Sequence, residues 1–197
     1  NIGNDSIWFE QLDALGIDQS ARSFTVNNSL PSDVQAPTLT SASLNSNVLD
    51  PSAPGGAFLS GSISFSDDLS GLEDIHLSYQ STTSDQRESL YFNLRDAIEG
   101  NALAGTIQSS TELNQFTANG EWTLSFIETV DQAGNGFYLS RNNIGNDSIW
   151  FAQLDALGID QSARSFVVNN TTQEALRPED TSTPIINSLS LSSDRLD

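Results

Sequence analysis

The residues best equipped for chemistry are carboxylates and side-chain amides gathered in two short turns. One turn is Asp67-Asp68-Leu69-Ser70-Gly71-Leu72-Glu73-Asp74 and the other is Asp131-Gln132-Ala133-Gly134-Asn135. Asp33 and Gln35 lie in a polar stretch ahead of the first apolar run. Hard oxygen donors on converging loops are what Ca2+ requires, with roughly six to eight oxygen ligands. The candidate ligands are Asp33, Asp67, Asp68, Glu73, Asp131 and Asn135. The same residues carry a second reading. Asp and Asn in turns bond their own backbone, and Gly71 and Gly134 suit such turns, so Asp131 can serve simply to brace its hairpin. The spacing is not that of an EF-hand loop. Both readings stand on the sequence alone.

Other chemistry has weaker support. His76 is the single histidine, and a Ser-His-Asp arrangement would need it. No nucleophile-elbow pattern accompanies it, and it falls inside an expected strand. Trp8, Trp122 and Trp150 could form a sugar-stacking platform. Trp122 alternates with Leu124 and Phe126, however, and Trp150 sits on an apolar helix face, so both are expected in the core. Of Tyr91 and Phe92, one must point outward, because adjacent strand residues face opposite ways. There is no cysteine, hence no disulfide framework and no thiolate metal site. Asn27, Asn146 and Asn170 open glycosylation sequons, a pattern common by chance in a chain rich in Asn and Ser. The expectation is a protein that is not an enzyme.

The elements that must position these residues are short and mostly extended. Leu39–Leu44, Phe58–Phe65, Ile75–Tyr79, Leu90–Leu94, Leu103–Ile107, Trp122–Ile127 and Phe137–Leu139 read as seven strands. Gly61 interrupts the apolar row of the second, as at a bulge or a close backbone approach. A helix follows, opened by a cap at Asp147 or Ser148, running through Ile149, Trp150, Phe151, Leu154 and Leu157, and ended at Gly158. Ser165–Val168 reads as a closing strand. Such short alternating strands predict two packed antiparallel sheets, an all-β sandwich with one short helix before the last strand.

An internal repeat organises the chain. NIGNDSIWFEQLDALGIDQSARSFTVNN at the start returns as NIGNDSIWFAQLDALGIDQSARSFVVNN from Asn143, differing only at Glu10/Ala152 and Thr25/Val167. The stretch from Ala36 to Leu44 has a fainter echo at Thr183–Leu191. The period exceeds the roughly 20–50 residues of solenoids and fits a self-contained domain. The expected division is a C-terminal fragment of one repeat at 1–28, a linker at 29–35, a complete repeat at 36–170, a linker at 171–183, and an N-terminal fragment of the next repeat at 184–197. Pro31, Pro37, Pro178 and Pro184 keep the linkers extended. The formal net charge is −19 and every basic residue is Arg. That charge argues against nucleic acid and anionic membranes as partners; it reads either as a solvated surface or as one that gathers divalent cations. No apolar run is long enough to cross a membrane within this segment.

Ala36-Pro37-Thr38-Leu39, Phe65 to Leu72, Trp122-Thr123-Leu124, Asp131 to Asn135 and Leu154 to Gly158 recur in an order that resembles the immunoglobulin-like tandem repeats of large bacterial surface proteins, including the extender domains of giant adhesins. The likeness spans about Ala36 to Asn170. It implies an immunoglobulin-like antiparallel sandwich, display at the bacterial cell surface, stacking against neighbouring repeats of the same chain, and calcium at domain junctions. In such a sandwich the two acidic turns lie at one end, beside the start of the first strand. The segment from Arg95 to Gly100 departs from the pattern. The expected role is a structural repeat of an extracellular adhesin or filament, with lateral copies as further partners. The alternative is a carbohydrate-binding accessory module of a secreted enzyme, which predicts an exposed aromatic row.

Overall fold

The computed structural model describes residues 11–18, 31–95 and 98–171. It divides the chain into two compact units, Asn1–Ser32 and Asp33–Asp197. Among the described residues of the second unit there are ten strands: β1 Thr38–Leu44, β2 Val48–Leu49, β3 Ala57–Ser66, β4 Leu72–Ser81, β5 Arg87–Asn93, β6 Ile98–Asn101, β7 Ala104–Leu113, β8 Gly120–Asp131, β9 Gly136–Ser140 and β10 Ser165–Val168. They form two layers. One has the order β1-β3-β7-β6; the other has β2-β10-β8-β4-β5, with β9 also paired to β8. The pairings are antiparallel except β10 with β2, which is parallel. The all-β sandwich read from the sequence is therefore present.

Alternation explains the core. Leu59, Ile63 and Phe65 of β3 and Ile107 of β7 are buried from one layer. Ile75, Leu77, Tyr79, Leu90, Phe92, Trp122, Leu124 and Ile127 are buried from the other. Each large apolar side chain so buried contributes about 1.5–3 kcal/mol. The polar tips inside are matched: Tyr79 Oη donates to Ala163 O at 2.9 Å and Trp122 Nε1 to Ala118 O at 3.0 Å. Burial pushes the Tyr79 phenol well above its ordinary value. Trp122 stacks on Phe166, so Trp122 and the equally buried Trp150 are core residues, as their spacing suggested. Phe92 points in and Tyr91 points out. Gly61 marks a close approach: a Cβ there would lie 2.5 Å from Ser43 O.

β9 and β10 lie end to end along the same edge of β8, pairing with 126–130 and 120–123 respectively. They amount to one strand interrupted by a helical insertion over 141–164, the strand's second half flanked in turn by β2. The insertion holds two helices, Arg141–Ile144 and Asp147–Ala156, and a 3-10 turn at Gln161–Ala163, where the sequence suggested a single helix. The longer helix buries Trp150 and Leu154. Its cap is Asn146, one residue ahead of the expected pair; Asn146 Oδ1 accepts from Ser148 N at 2.9 Å and Ile149 N at 3.3 Å. Asp147 is instead engaged by Arg141. Beyond the helix the chain lies against the outer edge of β1, where Asp160 N donates to Ala42 O. The insertion thereby covers an edge that would otherwise offer unpaired backbone groups.

Three strand assignments differ from expectation. The run Leu103–Ile107 is only the start of β7, which continues to Leu113. Most of β7 is polar, and its Ser109 and Thr111 hydroxyls donate to the Tyr91 and Ser89 carbonyls of β5. Within Arg95–Gly100, residues from Ile98 onward join strand β6. β2 has two residues, too few to show a period. In the first unit, residues 11–14 are helical and Leu15, Gly16 and Ile17 donate to Gln11, Asp13 and Leu12. Leu157, Gly158 and Ile159 make the same three bonds in the second copy, to Gln153, Asp155 and Leu154. The sequence repeat is thus a repeat of local structure where both copies are described. The rest of the 1–28 fragment, and the 172–197 stretch with most of its linker and the following fragment, lie outside the described residues. Among the described residues, no helix is long and apolar enough to cross a membrane.

Candidate metal centre

The two acidic turns do meet. β3 runs into 67–71, which leads into β4; β8 runs into 132–135, which leads into β9. Because β4 and β8 are paired neighbours, with Leu72 opposite Asp131, their turns are held at one end of the sandwich. Gln132 N donates to Gly71 O at 2.9 Å and Gln132 Nε2 to Leu72 O at 3.3 Å. The segment entering β1 joins this end. Thr129 Oγ1, fully buried, donates to Pro37 O at 2.9 Å. Ser70 N donates to Asp33 Oδ2 at 2.6 Å.

Three of the six candidate ligands converge. Asp33, Asp67 and Asp68 each offer a carboxylate oxygen, and these oxygens lie within 4.8 Å of one another. Asp67 Oδ2 accepts from Gly71 N at 2.6 Å and Leu69 N at 3.2 Å. Asp67 Oδ1 is buried without a hydrogen-bond partner. Hydrogen bonding from Ser70 holds the Asp33 carboxyl below its ordinary value, against a partial loss of hydration that pushes it up. Three carboxylates this close repel one another, and a buried carboxylate oxygen without a donor carries a desolvation penalty. A bound cation would relieve both. The donor set is all hard oxygen, the type Ca2+ takes, with carbonyls and water completing the shell. The residues present therefore fit the ion.

The other three candidates sit elsewhere. Asp131 is fully buried and both its oxygens are engaged by one residue: Oδ1 accepts from Asn135 N at 2.7 Å and Oδ2 from Asn135 Nδ2 at 2.6 Å. Asp131 N donates back to Asn135 O at 3.1 Å. This is a closed brace across a turn, the second of the two readings the sequence allowed for these residues. Glu73 is exposed on β4 and lines a shallow recess with Asn93, Arg95 and Gln132.

The remaining polar candidates are held by structural contacts. His76 lies on the outer face of its sheet, with Nε2 3.0 Å from Ser89 Oγ and Nδ1 3.8 Å from Glu128 Oε2. The second distance is beyond a hydrogen bond, so these three do not form an oriented triad. Burial, partly offset by Glu128, lowers the His76 pKa. Asn170 is fully buried and its Nδ2 donates to Gln115 O and Thr117 O, which leaves its sequon closed in the folded state. No protein-family model, curated protein or solved structure matches this chain.

Proposed function

We propose that this chain comes from a tandem array of immunoglobulin-like spacer units in an extracellular adhesin or filament of a bacterial surface, a non-catalytic protein whose work is to extend and display other modules. The observation that carries this reading is the near letter-for-letter return of the Asn1–Asn28 segment at Asn143–Asn170. A helix-strand tail copied with two changes marks duplication of a whole unit rather than chance likeness. The strand order supports the immunoglobulin-like topology. The first strand is split so that β1 joins one layer and β2 lies parallel to the last strand in the other, around a Greek-key core.

Calcium at Asp33, Asp67 and Asp68 is the second part of the proposal. Asp33 belongs to the segment that leads into the sandwich, whereas Asp67 and Asp68 belong to its body. An ion shared by them would tie that segment to the pole and stiffen the junction. Extracellular modules bind Ca2+ with Kd of about 10⁻⁴–10⁻³ M. The test is small-angle scattering of a chain carrying several repeats, in calcium and in chelator. An extended rod in calcium that softens in chelator is expected. A compact particle in both conditions would overturn the spacer reading.

A further inference from the structure

The outer face of the β5-β4-β8-β9 layer carries an aromatic and acidic row that the spacer role does not use. Tyr91, His76, Glu128 and Tyr138 stand opposite one another in register on four successive strands. Directly opposed residues share a face. Tyr91 and Tyr138 are 61% and 62% exposed, high for large aromatic side chains in the middle of strands. Three strand spacings separate them, about 14 Å. Between them lie His76 and Glu128, with Asp74 one row to one side and Phe126 one row to the other.

Both tyrosines are held in place. The Tyr91 ring stacks on His76 at 4.3 Å between centroids, leaving its other face open. Phe126 also meets the His76 ring, edge-on at 5.5 Å. Tyr138 folds back over Gly136: a Cβ on that glycine would come within 2.8 Å of Tyr138 Oη and 2.9 Å of its Cε2. Rings fixed in this way lose little conformational freedom on binding. The floor between them bears Asp74 and Glu128, whose carboxyl oxygens accept hydrogen bonds. Loss of hydration and then the nearby Glu128 raise the Asp74 pKa.

From this geometry we infer that the outer face bracketed by Tyr91 and Tyr138 binds an uncharged polysaccharide lying across the strands. Pyranose rings present apolar C–H faces to aromatic rings and hydroxyl donors to carboxylates, which is the complementarity this face offers. A chain of net charge −19 repels uronic and sulfated glycans. A second copy of the face would bring Asp74 and Glu128 against like charges, which disfavours that occupant.

The test is affinity electrophoresis of the full chain in native gels containing hydroxyethylcellulose, galactomannan, xyloglucan or pullulan. At least one should retard migration, and Tyr91→Ala and Tyr138→Ala should each weaken binding about tenfold, about 1.4 kcal/mol. Gly136→Ala should weaken it as well, by displacing the Tyr138 ring without removing it. Phe58→Ala, on the other layer, should leave binding unchanged, and chelator should have no effect, so this result is independent of the metal centre. Unchanged melting temperatures in the tyrosine variants confirm that the fold is intact. Retardation by none of the four glycans, or retardation equal in wild type and the tyrosine variants, overturns the inference. So does a concentration-dependent dimer in sedimentation that Tyr138→Ala dissolves.

Discussion

The two turns at the acidic pole are built alike and end differently. In each, an Asp closes the turn by accepting the backbone N–H of the residue four positions on: Gly71 to Asp67 at 2.6 Å, Asn135 to Asp131 at 2.7 Å. At the second turn that residue has a side chain, and Asn135 Nδ2 takes the remaining oxygen of Asp131. At the first it is glycine. Asp67 Oδ1 is left buried without a donor, beside the carboxylates of Asp33 and Asp68. One Asn-for-Gly difference thus separates a sealed brace from a carboxylate able to take an ion. Asp131 is spent on closing its own turn, whereas Asp67 keeps an oxygen for the proposed calcium.

The largest expected effect breaks the sealed turn. Asp131→Ala removes a buried charged acceptor and strands the Asn135 N–H and amide. Two hydrogen bonds to a charged group are worth about 1.5–3 kcal/mol each. A loss of about 4 kcal/mol is expected, or about 12 °C in melting temperature for a unit of this size. The increment in melting temperature produced by calcium should survive in this variant. If Asp131→Ala instead abolishes that increment, the division between the two turns is wrong.

The next effect belongs to the open turn. At about 100 times Kd, one calcium site adds about 2.7 kcal/mol, or about 8 °C. Asp67→Asn should remove this increment while leaving the melting temperature in chelator equal to or above that of wild type, because it relieves repulsion among three carboxylates. Scanning calorimetry in calcium and in chelator reads both quantities. A full calcium increment in Asp67→Asn would sink the metal centre.

The glycines sharpen the contrast further. Gly71 and Gly134 both have positive φ, 90° and 87°, so an L side chain is strained at either. Around Gly134 nothing lies within 4 Å of an added Cβ, whereas at Gly71 it would meet the Ala102 Cβ at 2.8 Å. Gly134→Ala should therefore cost about 1 kcal/mol, the strain alone. Gly71→Ala should cost about 2 kcal/mol or more and also weaken calcium binding, since its N–H orients Asp67. Denaturant titration gives the first pair of values and calcium titration the second. Equal costs at the two positions would mean that the first turn yields easily.

How much of this was legible beforehand follows from how each element signals itself. The alternation of Leu59, Ile63 and Phe65, and of Trp122 and Leu124, marked β3 and β8 because both bury one face and expose the other. The convergence of the acidic turns followed once their flanking strands were placed in a sandwich. The run of β7 past Ile107 was hidden because hydroxyl residues there serve as hydrogen-bond donors to β5 rather than as apolar ballast, and they carry no hydropathy signal. The division among Asp33, Asp67, Asp68, Glu73, Asp131 and Asn135 was hidden for another reason. All six have the same donor chemistry, and only the fourth-position residue of each turn, Gly71 or Asn135, tells which carboxylate is sealed. The Tyr91–Tyr138 row escaped notice because its members come from different strands, and only the register brings them together.

The smallest expected effect concerns Asp33, which is partly exposed and whose ionised form is favoured by hydrogen bonding from Ser70. Its folded-state pKa lies below the unfolded value of 3.8. Its contribution to stability is therefore complete above that value and lost as pH falls through the lowered one. Asp33→Asn keeps an acceptor but loses the charge. In chelator, the gap in melting temperature between wild type and Asp33→Asn should be small, constant from pH 7 to pH 5, and closing as pH falls below about 4. In calcium the gap at neutral pH should widen, because the variant also loses a ligand, while the calcium-dependent part disappears as the carboxylates take up protons. A gap that ignores calcium at every pH would place Asp33 with Asp131, as one more turn brace, and leave Asp67 and Asp68 too few to hold the ion.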